Sequence, residues 1–201
     1  AVVVVWRDRW IVVVTGWSNT GNVDSVQIYD ADSDAWAMGT AFPGTAVFGP
    51  AGALVGDELL VIDGVGDQGG FNLVNQAWLG QLDQENPAVI NWIDLGGHPG
   101  PARYRAAGEG VSESTMWFHG GTDDPYNYNG RSYDTGQPSA PIGTTLVYDV
   151  GTRQFSALGN PKPTATMDHR ALARCETRIY SVGGMVAGPA TTADVWMIEA
   201  R

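Results

Sequence analysis

The sequence predicts an all-β protein built from a repeated unit of short antiparallel strands. Among its 201 residues are 27 glycines, 8 tryptophans and 7 tyrosines. Glycine suits tight turns that need a positive φ, and aromatic side chains suit the half-buried surface of a sheet. The hydrophobic fraction of 43%, beside 16% charged residues, is a globular composition. We therefore expect a packed core rather than disorder.

The unit occurs four times along the chain. Each copy has an apolar strand that runs into a glycine, at Gly16, Gly64, Gly121 and Gly184. The next strand ends in an apolar residue followed by an acidic one, at Tyr29-Asp30, Leu82-Asp83, Tyr148-Asp149 and Ile198-Glu199. In three copies a bulky aromatic residue follows, at Trp36, Trp92 and Phe155.

The spacing of these features indicates structural repetition. From each aromatic residue to the next glycine the separations are 28, 29 and 29 residues, by subtraction of 36 from 64, 92 from 121 and 155 from 184. From the glycine to the acidic residue the separations are 14, 19, 28 and 15. One loop of the unit is therefore variable, and the rest is a constant repeat.

This pattern resembles the kelch family, whose blades are four-stranded antiparallel sheets with a glycine pair after the second strand. Gly120-Gly121 and Gly183-Gly184 match the full pair, whereas the first two copies keep only its second glycine. The resemblance covers essentially the whole chain. It implies a kelch-type β-propeller, as a single domain or partial propeller, with four blades at about 1–43, 44–98, 99–162 and 163–201.

We expect the inner strands near 2–6, 51–55, 105–111 and 169–173, and outer strands near 35–38, 90–94 and 153–157. The three repeated aromatics should occupy equivalent outer-strand positions, buried between neighbouring blades. The fourth blade should lack an outer strand because the chain ends at Arg201. Since residue 1 already opens an inner strand, and the chain does not begin with Met, we expect a piece of a longer product whose ring has six or seven blades.

Charge excludes two classes of partner. The net charge of −11 opposes binding to a nucleic-acid backbone or an anionic membrane, because both require clustered Lys and Arg. The sequence also lacks the run of roughly 18 apolar residues that a membrane span needs. Its single cysteine, Cys175, excludes an intrachain disulfide framework. The expected location is secreted or periplasmic.

We expect no metal and no cofactor. The acidic segment Asp30 to Asp34 lacks the glycine and glutamate of a calcium loop and falls at a strand turn. A copper site with a Tyr–Cys cross-link is excluded, because Cys175 should lie on the face opposite the candidate loops. The three histidines, His98, His119 and His169, are spread over two blades, which disfavours a shared zinc ion.

The candidate site lies on the face where the loops between second and third strands meet the connections between blades. The third-blade loop, 122–143, is long and rich in hydrogen-bonding aromatics, and long ordered loops in compact domains often carry function. The loop and the two connections supply the predicted ligand-binding residues: Arg105, Asp123, Tyr126, Tyr128, Arg131, Asp168, His169 and Arg170. The alternative is that the loop tyrosines only pack and that the arginines only bond carbonyls of neighbouring blades.

Tyrosine and tryptophan faces stack on sugar rings, and Asn, Asp and Arg bind hydroxyls or carboxylates. The leading interpretation is therefore a bacterial-type propeller that binds a small carbohydrate or glycan. The order of parts in blades two to four also resembles bacterial kelch-type epimerases of N-acetylneuraminate, which implies the alternative of a sugar mutarotase. No catalytic acid and base pair follows from the residues; Asp123, Asp124, Asp168 and His169 are its candidates. A scaffold for a protein partner is the third interpretation.

Overall fold

The computed structural model describes residues 1–159, 162–169, 171–188 and 190–199. Every helix or strand assigned in this part of the chain is a β-strand. Blade 1 comprises β1 (Val2–Trp6), β2 (Trp10–Ser18), β3 (Gly21–Asp30) and β4 (Ala35–Met38). Blade 2 comprises β5 (Ala51–Val55) and β6 (Glu58–Ile62), the small hairpin β7 (Val65–Gly66) and β8 (Asn72–Leu73), then β9 (Ala77–Leu82) and β10 (Ile90–Asp94).

The later blades repeat this plan. Blade 3 comprises β11 (Ala107–Gly110), β12 (Thr115–His119), β13 (Thr145–Asp149) and β14 (Gln154–Leu158). Blade 4 comprises β15 (Ala173–Cys175) and β16 (Arg178–Val182), the small hairpin β17 (Met185–Val186) and β18 (Ala190–Thr191), then β19 (Val195–Glu199). Each main sheet is an antiparallel meander, with three strands in the described part of blade 4 and four in the others.

Two inner strands begin later than the sequence predicts. That of blade 3 starts at Ala107 rather than 105, and that of blade 4 starts at Ala173 rather than 169. The residues before them are not extended, since Arg105 has φ 54° and Asp168 has φ 62°. A positive φ cannot continue a β-ladder, so the chain turns at these positions before each inner strand begins.

Glycine is favoured directly after the second strand because the backbone there has a positive φ. The first member of the pair has φ 50° at Thr15, 58° at Asp63, 70° at Gly120 and 61° at Gly183. A Cβ on Gly121, the second member in blade 3, would lie 2.9 Å from the Tyr104 carbonyl oxygen. In blades 1 and 2 the first glycine is replaced by a side chain that accepts a hydrogen bond from the next connection. Thr15 Oγ1 accepts from the Val47 amide, and Asp63 Oδ2 accepts from the Arg103 amide.

Successive blades pack face to face and form the core. We call the face of a blade that is turned to the preceding blade its leading face, and the face turned to the next blade its trailing face. Val12, Val14 and Ile28 on the trailing face of blade 1 pack with Leu59 and Val61 on the leading face of blade 2. Blades 2 and 3, and blades 3 and 4, share clusters of the same kind.

The repeated aromatics occupy equivalent positions on leading faces, but one of them is not buried. Trp36 pairs with Tyr29, Trp92 with Gly80 and Phe155 with Tyr148, at matching points of the three meanders. Trp92 and Phe155 are partly buried against the preceding blade. Trp36 is 60% exposed, so the prediction that it is buried between blades is wrong. Its burial would require a blade packed against the leading face of blade 1.

The proposed equivalence of Leu82-Asp83 with the other apolar-acidic pairs is also wrong. The register aligns Gly80 with Tyr29 and Tyr148, because these three residues pair with Leu59, Ile11 and Met116 on the second strands. The third and fourth strands of blade 2 therefore continue beyond this point before they turn. Leu82 lies two residues past the equivalent position, on the same face of the sheet. Such an extension preserves which side chains face the core, so the sequence pattern does not reveal it.

Candidate functional site

The three connections between blades adopt the same conformation just before the inner strands of blades 2, 3 and 4. Phe48, Tyr104 and Met167 each form a bridge to the segment after the glycine pair of their own blade. The residue that follows each of them has a positive φ, at Gly49, Arg105 and Asp168. The Arg105 amide donates to the Gly49 carbonyl at 2.9 Å, and the His169 amide donates to the Arg105 carbonyl at 3.1 Å. These bonds link successive connections and bring the Arg105 and Asp168 side chains together.

Arg105 and Asp168 form an ion pair on this loop face. Arg105 Nη1 donates to Asp168 Oδ1 at 2.7 Å, and the side chains are 20% and 30% exposed. The guanidinium carbon lies 4.8 Å from the ring centre of Tyr104 and 5.3 Å from that of Tyr126. The two rings and the carboxylate hold the guanidinium in a defined orientation, while it stays partly exposed to solvent. The pair therefore presents charged hydrogen-bonding atoms that a ligand can reach.

The third-blade loop supplies the ring beneath Arg105. Tyr126 is fully buried, and burial together with Asp168 raises the pKa of its phenol. Asp124 holds the loop by accepting from the hydroxyls of Ser132 and Ser139. The loop is thus ordered by its own polar contacts, with Tyr126 directed inward. Within the described residues, neither Tyr126 Oη nor Arg105 Nε has a well-formed hydrogen bond, although the two groups interact electrostatically.

The other predicted site residues lie in several different environments. Asp123 is exposed and interacts electrostatically with Arg103. Tyr128 is 94% exposed, so it packs against none of the residues above. Arg131 is exposed and donates to the Gly136 carbonyl within its own loop. Tyr128 and Arg131 therefore do not lie with Arg105, Tyr126 and Asp168, contrary to the prediction of one convergent set. Arg170 lies outside the described residues.

His169 is buried beneath the connection rather than open to the loop face. Its Nε2 lies 2.6 Å from Thr166 Oγ1, which also accepts a hydrogen bond from Lys162 Nζ. Burial and the nearby lysine lower the pKa of His169 to about 4. Burial lowers the pKa of Lys162 to about 8. His169 is therefore neutral near pH 7 and supports the fold of the connection.

We expect His169 to make stability depend on pH. Because its folded-state pKa is depressed, its contribution is full above the unfolded value near 6.5 and is lost as the pH falls through about 4. Unfolding free energies of the wild type and of His169→Gln should converge by roughly 2–3 kcal/mol between about pH 7 and about pH 4. Parallel urea titrations measure this difference. A gap independent of pH would contradict the assignment.

Aromatic residues next to the Arg105 group extend it into a cluster that the sequence analysis did not assemble. Phe48 lies 5.5 Å from Tyr104, and Trp17 lies 5.4 Å from Phe48. Phe71 contacts both Trp17 and Phe48, and its ring centre lies 4.5 Å from that of Tyr133. These rings come from three blades. Of these, Trp17 is 56% and Tyr133 37% exposed. The cluster thus ends in two accessible rings.

The central channel is a different environment. A cavity of about 410 Å³ is lined mainly by inner-strand residues such as Val3, Val5, Ala53 and Leu54. Glu109 and Arg174 are its charged residues, and burial raises the pKa of Glu109. None of its described lining residues is aromatic, so the aromatic groups described above distinguish the loop face from this cavity.

Each histidine already has a protein partner. His98 Nε2 lies 2.8 Å from Asp63 Oδ1, and His119 Nδ1 lies 2.8 Å from Thr145 Oγ1. Among the described residues, no group of three or more His, Cys, Asp or Glu side chains is arranged to hold a metal ion. The same part of the chain contains no helix long and apolar enough to cross a membrane.

Comparison with known proteins identifies the fold. Neither a protein-family model nor a curated protein matches the sequence. The solved structure of YjhT superposes with a TM-score of 0.70 and 14% sequence identity, over 90% of this chain and 50% of that one. The chain has a β-propeller fold. At this identity the likeness shows the fold alone, and the chain spans about half the length of YjhT.

Proposed function

We propose that the protein is a kelch-type propeller that binds a small carbohydrate or glycan on its loop face. The observation that carries the proposal is the Arg105–Asp168 pair, oriented over two tyrosine rings and partly open to solvent. Charged groups of this kind hydrogen-bond sugar hydroxyls and carboxylates, and the guanidinium favours an acidic sugar. Trp17 and Tyr133, at the exposed ends of the adjoining aromatic cluster, supply faces on which a sugar ring stacks.

The contacts support binding over mutarotation, the alternative function. Mutarotation requires an acid and a base near the anomeric centre. Of its candidates, Asp168 is paired with Arg105, Asp124 accepts from two loop serines, and His169 is buried with its pKa lowered to about 4. Asp124 and His169 thus serve the structure of the loop and the connection, and the fourth candidate, Asp123, is exposed and interacts electrostatically with Arg103.

A titration with free sugars, followed by NMR, tests the proposal. N-acetylneuraminate is the acidic probe and N-acetylmannosamine is a neutral comparison. Arg105→Asn removes the guanidinium but keeps a residue type that tolerates positive φ. We expect it to weaken binding of the acidic sugar at least about tenfold, which corresponds to roughly 1.4 kcal/mol. Trp17→Ala should weaken the binding of both sugars, because it removes a stacking face.

Cys175→Ser is the matched control, because Cys175 is exposed on the hairpin between the first and second strands of blade 4. It should bind as the wild type does. Equal effects of Arg105→Asn and Cys175→Ser, or no binding of either sugar by the wild type, would remove the site from the loop face. Acceleration of anomer exchange, read in the same spectra, would favour the mutarotase instead.

A further inference from the structure

A cavity at the rim of the propeller lies between the outer strand of blade 1 and the β9–β10 hairpin of blade 2. It has a volume of about 220 Å³, and most of its lining residues are apolar, among them Trp10 and Ala37. Its polar lining residues are Asp30, Ser33 and Asn86. Both walls belong to consecutive blades of this chain, so the cavity is formed by a contact that lies wholly within it.

Small side chains on the outer strand of blade 1 leave this space open. The strand register makes Ile93 the blade 2 counterpart of Ala37. Two residues further along, Leu95 corresponds to Gly39. Ile93 and Leu95 pack against the core that blades 2 and 3 share. The outer strand of blade 1 has no side chains of that size at the same positions, so it does not fill the corresponding space against blade 2.

Hydrogen bonds hold the opposite wall, the β9–β10 hairpin, against blade 1. The Thr40 amide donates to the Ala88 carbonyl at 2.9 Å, and the Ile90 amide donates to Thr40 Oγ1 at 3.0 Å. Within the turn, Asp83 Oδ1 accepts from the Asn86 amide at 2.8 Å. The hairpin is thus fixed by blade 1 and by its own turn. A preformed cavity of this kind avoids the free-energy cost of ordering the protein when a ligand binds.

The turns that border the cavity carry negative charge. Their carboxylates are Asp30, Asp32, Asp34, Asp83 and Glu85. Segments 28–38 and 80–93, which contain these turns, have no Lys, Arg or His. Arg9 offsets part of the charge by pairing with the first two carboxylates. Among the described residues, Asp34 and Glu85 have no ion-pair partner. The border of the cavity therefore favours a cation.

We infer that this cavity binds a large apolar side chain that is flanked by basic residues in a partner protein. A buried apolar anchor in a well-packed pocket supplies much of the affinity of a protein interface. The acidic border, within a net charge of −11, attracts Lys and Arg on either side of the anchor. Turns after the third strands lie on the face opposite the loops after the second strands. The contact is therefore separate from the sugar site and does not rest on it.

A titration with short peptides, followed by amide NMR at low ionic strength, tests this inference. The probe is acetyl-Lys-Lys-Phe-Lys-Lys-amide, and two comparison peptides replace Phe by Ala or every Lys by Glu. The probe should shift the amide signals of Ala37 and Ala88. Each comparison peptide should bind at least about tenfold more weakly. Added salt should weaken binding of the probe, because Asp34 and Glu85 are exposed.

A variant of the cavity wall tests the position of the anchor. Ala37→Leu places a larger side chain at the cavity and should weaken binding of the probe at least about tenfold. Ser156→Leu is the matched control, because Ser156 has the equivalent position on the outer strand of blade 3 and is also exposed. It should bind the probe as the wild type does. Thermal unfolding should confirm that both variants fold.

A second variant changes the border and leaves the cavity wall intact. Asp34→Asn combined with Glu85→Gln removes two carboxylates, and Asn tolerates the φ of 50° at Asp34. This double variant should bind the probe more weakly and should lose part of the salt dependence. The inference would be overturned by a wild type that does not bind the probe, or by equal binding of the probe and either comparison peptide. Equal losses in Ala37→Leu and Ser156→Leu, or unchanged affinity in the double variant, would also overturn it.

Discussion

Replacing Asp63 by alanine is expected to lower the free energy of unfolding by about 3–5 kcal/mol, because it breaks a fully buried charge network. The side chains of Asp63 and His98 are both inaccessible to solvent. The carboxylate lies 2.8 and 2.9 Å from His98 Nε2 through its two oxygens, and accepts from the Arg103 amide at 2.9 Å. Alanine would leave these groups buried without an acceptor, at a position where φ is 58°.

The charge state of His98 adds to this effect. Its Nδ1 lies 3.0 Å from the Pro99 carbonyl oxygen, so both ring nitrogens face oxygen acceptors. Burial opposes the charged form, but Asp63 and the Pro99 carbonyl outweigh it and raise the pKa of His98. Removing the carboxylate would therefore leave a buried imidazole that has lost the partner favouring its charge.

Denaturant titration measures the loss, and Asp32→Ala is the control. Asp32 also forms an ion pair, with Arg9 Nη1 at 3.0 Å, but its side chain is 69% exposed. Exposed pairs typically contribute no more than about 1 kcal/mol, so this variant should unfold almost as the wild type does. Asp63→Asn, which tolerates positive φ, separates loss of charge from backbone strain. If Asp63→Ala cost under about 1 kcal/mol, the network would not be a determinant of stability.

Truncating Trp6 to alanine is expected to cost about 3–5 kcal/mol, because it removes a large side chain from the contact between blades 1 and 2. Trp6 is fully buried at the end of β1. Its indole lies 4.8 Å from that of Trp10, and its Nε1 donates to Asp57 Oδ1 at 2.9 Å. The substitution therefore leaves a cavity and also deprives Asp57 of a hydrogen-bond donor.

Trp36→Ala is the matched comparison, since Trp36 also lies on blade 1 but is 60% exposed. Its truncation should cost under about 1 kcal/mol, because little apolar area is returned to water. Denaturant titrations of both variants and of the wild type measure the two losses in unfolding free energy. Equal losses at the two tryptophans would show that exposure in the single chain does not govern their contributions.

The repeat pattern predicted most strands because their boundaries depend on local chemistry. The predicted ranges 2–6, 51–55 and 90–94 agree with β1, β5 and β10. Glycine and turn residues end these strands, and alternation sets which side chains face the core. The pattern could not detect the extended hairpin of blade 2, because a shift by one full alternation leaves the apolar face unchanged.

The candidate site was predictable only in part. Repeat topology predicts that the inter-blade connections and the third-blade loop open on the same side, and Arg105, Tyr126 and Asp168 do come together there. Phe48, which contacts the aromatic rings of neighbouring blades, was not among the predicted residues, because it lies in the connection before the inner strand of blade 2. Tyr128 and Arg131 lie apart because the loop is ordered by its own polar contacts.

The sequence by itself determined that the protein is all-β, that its blades repeat, and which loops share a face, because these follow from strand alternation and from the spacing of glycines and aromatics. Only the tertiary structure decided which equivalent side chains are buried. Trp92 and Trp36 have the same place in their sheets, yet one packs against a neighbouring blade and the other is exposed. Burial is a property of two surfaces in contact, and a repeat pattern describes only one of them.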